Sequence, residues 1–304
     1  MNPTRNQAAS YARCSLWCML GVVIILGFGL GMLQFGCATT SGGNALDNIR
    51  DRVHQHVINI KGKLRTITFA CRPSKLDPVT TRYITVKRGL GAAADAAQLA
   101  RKAWPYGPRL DQGTEGACTG FGSVGGGPNS KPDQTSPFLT NEYARKVIYW
   151  GAQKRDLWPG GAYPWAWPRY EGSTVQAAVE ELQAQGWCDG AEWATSLEAL
   201  VVGINTRGPA ILGTTWYAGM SAPDPAGFIH VTGDAVGGHC YYIPEIVVTS
   251  TAPLAGKARV VNSWGEDWGC DGTAWISFSD LDRLFKAGGQ AAFLTGKHAT
   301  QEAK

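Results

Sequence analysis

At 304 residues, with 44% hydrophobic and 17% charged positions, the chain has the composition of a globular protein and room for one large or two-lobed domain with appendages. The net charge of +4 hides an asymmetry: residues 1–110 hold 15 Lys/Arg against 4 Asp/Glu, and residues 111–304 hold 13 against 20. A basic leader ahead of an acidic domain suits docking on that domain, proximity to anionic headgroups, or simple solvation, whereas no basic run with interleaved aromatics points to nucleic acid.

Residues 15–36 are uncharged and mostly apolar behind Arg5 and Arg13, long enough at 22 residues to span a bilayer as a helix. The positive flank keeps the N-terminus in the cytoplasm and sends the rest out. Gly27 and Gly31 have the small-xxx-small spacing of paired membrane helices. An uncleaved signal anchor is the first reading. Lipid attachment at Cys37, after a site similar to a bacterial lipoprotein cleavage site, is the second, and plain cleavage the third. Residues 1–37 are therefore set apart as a signal or transmembrane segment. Residues 38–100 are a linker and basic leader, with short strands expected at Val57–Ile60 and Arg82–Val86 and a helix over Ala92–Trp104. A domain at 101–304 follows.

Within it, Asp111-Gln112-Gly113-Thr114-Glu115-Gly116-Ala117-Cys118 places a glutamine six residues ahead of a cysteine, with two glycines that permit a bend. A thiol becomes a nucleophile as thiolate, which a helix N-terminus or an imidazolium favours. A Gln amide and the Cys N–H are two donors for an oxyanion. The plain alternative is a small buried cysteine. A helix from Cys118 is expected to end near Val124, because four glycines between 120 and 126 oppose it.

Thr140 reads as the N-cap of a helix with Leu139, Tyr143, Val147 and Ile148 on one face. Capping boxes are read at Ser173/Gln176 and Thr195/Glu198, the first helix with Val175, Ala178, Val179 and Leu182 as its stripe and Gly186 as its stop. Gly208-Pro209 turns the chain into a strand at Ala210–Tyr217. Gly237-Gly238-His239 leads into a β-branched and aromatic strand through Val248. Strands are expected at Lys257–Ser263, Thr273–Phe278 and Gln290–Thr295, with a helix from Ser279 whose box partner is Asp282. Asn262-Ser263-Trp264 ends the first of these, and Trp268 follows four residues on.

Cys118, His239 and Asn262 supply a nucleophile, a base and a group to orient the base. His239 and Asn262 lie 121 and 144 residues after Cys118, against a papain-type interval of roughly 130–150. The order Gln, Cys, His, Asn-Ser-Trp resembles the papain family of cysteine peptidases, in particular bacterial homologues. Glu115 stands where the common eukaryotic motif has a cysteine, and Thr119 where it has an aromatic.

That resemblance implies a two-lobed α+β fold, with a helical first lobe, a β-rich second lobe and the cleft between them. It implies a cysteine-type peptidase acting on polypeptides, with Cys118 and His239 as an ion pair, Asn262 fixing the imidazole, and Gln112 with the Cys118 N–H as the oxyanion hole. Trp264 would cover the His–Asn bond, Trp268 would line the primed side of the cleft, and Gly116 would contact substrate. A removable pro-segment would sit within 38–100. Competing readings are a Cys-His-Asn amidase of cell-wall peptides and a non-catalytic binding module. No cofactor or metal site is read. His54 and His56 are placed at the surface, and His230 and His298 show no partner. If the domain is exported beyond the membrane, Cys71, Cys188, Cys240 and Cys270 are available for disulfides.

Overall fold

The computed structural model describes residues 54–86, 101–130, 137–251 and 253–296. The apolar segment 15–36, Cys37, the linker 38–45, His298 and most of the helix expected at Ala92–Trp104 lie outside them. Among the described residues no helix is long and apolar enough to cross a membrane.

The leader begins with an antiparallel hairpin, β1 (His54–Ile60) on β2 (Lys63–Phe69). Lys61 and Gly62 both have positive φ at its turn, the geometry that matches strand twist in a two-residue loop. A two-residue strand, β3 (Cys71–Arg72), follows directly. The strand expected at Arg82–Val86 is reduced to a single bridge, Tyr83 to Trp193. At the end of the expected Ala92–Trp104 helix, Arg101–Ala103 is instead a strand (β4) paired with the long strand β9 (Ala235–Thr251), because an open sheet edge satisfies its backbone.

Helix α1 (Cys118–Gly126) runs two residues past the expected end, through all four glycines. Close packing explains them. A Cβ on Gly120 would stand 2.4 Å from the Ala144 carbonyl oxygen, on Gly122 2.7 Å from Cys240 Sγ, and on Gly125 2.5 Å from the Tyr242 ring. These glycines let the helix backbone lie flat on β9 and on the next helical segment, which starts as expected with Thr140 capping Tyr143 N–H. That segment runs Asn141–Tyr143, a π-helical Ala144–Tyr149, then Trp150–Arg155. Gly120→Ala is therefore expected to lower the thermal midpoint by several degrees. Overpacking at about 1–3 kcal/mol outweighs a helix-propensity gain of about 1 kcal/mol. A calorimetric midpoint at or above wild type would refute this packing account.

Three caps differ from expectation by one or two residues. Thr174, not Ser173, caps the helix α2 (Val175–Ala184), because Ser173 and Thr174 form a strand, β5, parallel to β3. Ser196, not Thr195, caps Leu197–Thr206, and Ser277 caps Phe278–Lys286. In each case the serine or threonine oxygen accepts the N–H three residues on, as an N-cap does.

The second lobe is a sheet in which β9 is central. It pairs antiparallel with β7 (Ala210–Tyr217) on one side and β10 (Leu254–Val261) on the other. Strands β12 (Gln290–Thr295) and β6 (Gly190–Ala194) extend the β7 side, β11 (Thr273–Ser277) and β8 (Phe228–Ile229) the β10 side. The helical lobe has its own core of Phe121, Val124, Ile148, Tyr149 and Leu182. The sheet core gathers Trp216, Tyr241, Trp264 and Phe293. Between them lies a smaller cluster holding Cys71, Cys118, Val175, Ile211 and Cys240.

Candidate functional site

Cys118 is the first residue of α1, so its thiol sits at the positive end of the helix, after an Ala117 that contributes no side-chain cap. His239 lies on β9 opposite Thr214, and Asn262 follows the last residue of β10. All three are buried.

Asn262 Oδ1 is 2.8 Å from His239 Nε2 and also accepts the Ser263 N–H at 2.8 Å. An atom that accepts a backbone N–H is the carbonyl of the carboxamide, so Nε2 is the protonated nitrogen of the imidazole. The lone pair then belongs to Nδ1, which makes no well-aligned hydrogen bond. Cys118 is close enough for His239 to lower its pKa, by hydrogen bonding and by charge.

Trp264 lies against the imidazole with ring centroids 5.0 Å apart, and Trp216 meets it edge-on at 4.8 Å. Trp268 packs on Trp264 at 5.7 Å and donates its N–H to the Ser221 carbonyl. It is buried behind that ring rather than along an open groove wall.

Gln112 is tied to the Asn-Ser-Trp loop twice. Its N–H donates to the Ser263 carbonyl at 2.9 Å, and its Oε1 accepts the Ser263 hydroxyl at 2.7 Å. Its Nε2 donates to the Glu115 carbonyl at 2.8 Å. Gly113 supplies the bend at φ +67, whereas Gly116 is required for closeness, since a Cβ there would stand 2.6 Å from Ala70 Cβ. Gly116 N–H donates to Glu171 Oε2 at 2.7 Å. Glu115 pairs with Arg145 at 2.6 Å, and Arg145 also holds the Gln112 carbonyl at 2.8 Å. The acid is thus a strut for the loop. Burial raises its pKa, and the arginine opposes that rise.

A covering leader is among the expectations, but the residues that do the covering carry no signal of their own. Residues 68–72 of the leader run across it. Phe69 packs edge-on against His239 at 5.7 Å and against Trp264 at 5.8 Å. A Cβ on Gly237 would stand 2.6 Å from Phe69 Cβ, which is why glycine stands two residues ahead of His239 on β9. Cys71 shares a hydrogen bond with Cys118. The next residue pairs with Thr174 across the β3–β5 ladder, and Arg65 grips Asp111 at 2.6 Å and the Trp264 carbonyl at 2.7 Å. Lys63 faces Asp267 at 3.7 Å. The basic leader meets the acidic domain through these ion pairs.

Under that cover, burial pushes the Cys118 thiol well above its ordinary value of 9.0. The contact with Cys71 pushes the same way, and His239 only partly opposes them. A raised thiol pKa means the folded form holds the proton more tightly than the unfolded chain. Its stabilising effect is present at neutral pH and fades as pH climbs past the ordinary value. Iodoacetamide labelling of Cys118 in the intact chain is expected to be slow at pH 7–8 and still rising beyond pH 9. A plateau of fast labelling by pH 7, followed by mass spectrometry, would contradict this.

Cys71, Cys118, Cys188 and Cys240 are buried thiols, so of the four cysteines available for disulfides Cys71, Cys188 and Cys240 form none and Cys270 is disulfide-bonded. His54 and His56 are half-buried on one face of β1. His230, read as lacking a partner, has its Nε2 2.8 Å from Asp224, a residue six positions earlier. Among the described residues no cluster of three or more metal-type ligands occurs. Ser263, Trp216 and Arg145 were missed as parts of the site. Only Ser263 carried a signal, lying inside a motif already singled out.

No family model matches the chain, and no curated protein is similar to it in sequence. Solved structures do match. Xylellain, a cysteine protease from Xylella fastidiosa, superposes with a TM-score of 0.50 at 14% identity, over 75% of this chain and 96% of that one. Digestive procathepsin L2 from the larval midgut of Tenebrio molitor is looser, with a TM-score of 0.43 at 18% identity, covering 76% and 78%. With a helical lobe, a β-rich lobe and a buried Cys–His pair between them, the chain has the α+β fold of the papain-like cysteine proteases.

Proposed function

We propose that the protein is a cysteine peptidase held in a covered, resting form. One observation carries the reading: the imidazole of His239 is fixed by Asn262 through Nε2, so that its basic nitrogen is left for the thiol at the start of α1. In this reading Cys118 attacks the peptide carbonyl, and His239 first takes the thiol proton and then delivers it to the leaving amine. Water then enters, His239 takes one of its protons, and the acyl group leaves as a carboxylic acid. Gln112 and the Cys118 N–H stabilise the oxyanion of each tetrahedral intermediate. Such a donor is worth about 3–4 kcal/mol in serine proteases. Trp216 and Trp264 keep water from the His–Asn bond.

The leader through Arg72 acts as the pro-segment, with Phe69, Ala70 and Cys71 filling the space a substrate backbone requires. If residues 15–36 anchor the chain, hydrolysis takes place on the non-cytoplasmic side of the membrane. The test is to displace the leader and then add E-64, an epoxide that traps papain-type thiolates, and weigh the protein. An adduct on Cys118 together with cleavage of a peptide library supports the reading. No adduct on the uncovered thiol would end it, and an adduct without peptide cleavage would favour the wall-amidase alternative.

A further inference from the structure

The leader covers Cys118 and also inserts a side chain into a pocket beside it. Arg72 is 8% exposed, and its guanidinium carbon lies 4.3 Å from the ring centroid of Trp158 and 4.9 Å from that of Tyr170. Its two terminal nitrogens donate to the carbonyls of Gly172, at 3.5 Å, and Glu171, at 3.2 Å. Asp156 stands behind them, near enough for the Arg72 charge to act on its carboxyl. Asp156 is itself oriented by three donors: the Trp158 N–H at 3.0 Å, the Tyr170 hydroxyl at 2.8 Å and the Ser173 hydroxyl at 2.8 Å.

Two aromatic faces, two carbonyls and a pre-oriented carboxylate match a planar cation with several donors. The compact ammonium of lysine uses such a site less well. The pocket walls come from residues 156–173, downstream of the leader that fills it. Its rim is β5, the two-residue ladder partner of β3. Backbone pairing of this kind is how an extended peptide docks on an open strand, with alternate side chains read by pockets. Arg72 is also one residue from Cys71, whose thiol touches Cys118.

We propose that the Trp158–Tyr170–Asp156 pocket is a guanidinium-binding subsite, and that the protein's polypeptide substrates present arginine to it. The substrate part rests on the peptidase reading above; the binding part does not. The test uses the full-length Arg72→Ala variant and Nα-acetyl-arginine amide, followed by calorimetry and thermal shift. Arg72→Ala is expected to bind the amide saturably in the millimolar range and to regain part of its lost thermal midpoint. Nα-acetyl-lysine amide should bind roughly tenfold more weakly, and wild type, with its pocket filled, should bind neither. Adding Trp158→Ala to the variant should abolish binding.

Absence of saturable binding by the folded variant, or equal binding of the lysine and leucine amides, would overturn the proposal. If Arg72→Ala fails to fold, Arg72→Gln keeps the stem while vacating the guanidinium position, and it is read the same way. A second arm separates the two claims. Once the leader is displaced, arginine-containing members of a peptide library should be cleaved preferentially. Complete silence there, alongside normal amide binding, would count against the peptidase reading and leave the pocket standing. Cleavage with no arginine preference would overturn the substrate assignment.

Discussion

A single cut in the exposed turn at Asp77–Thr80, followed by dilution in mild denaturant and refolding, is expected to raise peptide hydrolysis by roughly 100-fold or more. The turn is suited to a specific protease site: Val79 is 91% exposed, and the loop is closed by a bond from Thr81 N–H to the Asp77 carbonyl. Tethered, the leader competes with substrate at the millimolar or higher local concentration of an intramolecular segment. Once cut, it is held by a finite set of contacts. They include the two bonds of Arg65, the Lys63–Asp267 pair, the edge contacts of Phe69, the β3–β5 ladder, the Arg72 pocket, the Ser74 bonds to Gln290 and Gln176, and the burial of Ile58, Ile60 and Ile67 in the sheet core. Removing the leader also returns water to Cys118, whose pKa should fall towards the range where His239 and the helix end hold a thiolate. The measurement is initial rate on a quenched peptide, with leader release followed by mass. A chain that has shed the segment ahead of the cut and keeps its circular dichroism, yet hydrolyses nothing faster than before, would show that the leader is no lock.

Cys118→Ser should reduce the rate of the released enzyme by about 10⁴-fold or more while moving the thermal midpoint by only a few degrees. Removing the nucleophile of a serine protease costs on the order of 10⁶-fold in kcat. A hydroxyl in place of the thiol is not ionised by a neighbouring imidazole at neutral pH. Oxygen is smaller than sulfur, so packing at the head of α1 loses little volume. The same change at Cys240, whose Sγ lies under Gly122 and in the same buried cluster as Cys118, offers the contrast: it alters that packing and leaves the nucleophile in place. A Cys118→Ser protein that retains activity, or one that loses stability as a core mutant does, would return Cys118 to the status of a buried small residue.

Strand positions were readable from the residues wherever apolar and β-branched runs ended in glycine or proline. Ala210–Tyr217 and Gln290–Thr295 have the expected limits. Caps slipped by one or two residues because two adjacent hydroxyl residues compete for the same N–H groups, and tertiary partners decide between them. Ser173 was taken away from its helix by Asp156, leaving Thr174 to cap it. Helix α1 was underestimated because propensity prices each glycine against water, whereas here each one faces a neighbouring backbone or ring.

The order of glutamine, cysteine, histidine and asparagine, and the strands that carry the last two, were fixed by the chain itself, since local patterning and motif spacing are properties of neighbours. Folding alone decided that Phe69, Cys71 and Arg72 lie over Cys118 and His239, that Arg65 reaches a carbonyl 199 residues away, and that Glu115 is a strut. Those outcomes depend on which surfaces meet across the whole domain. Contacts between residues so far apart leave no periodicity in the stretches that make them.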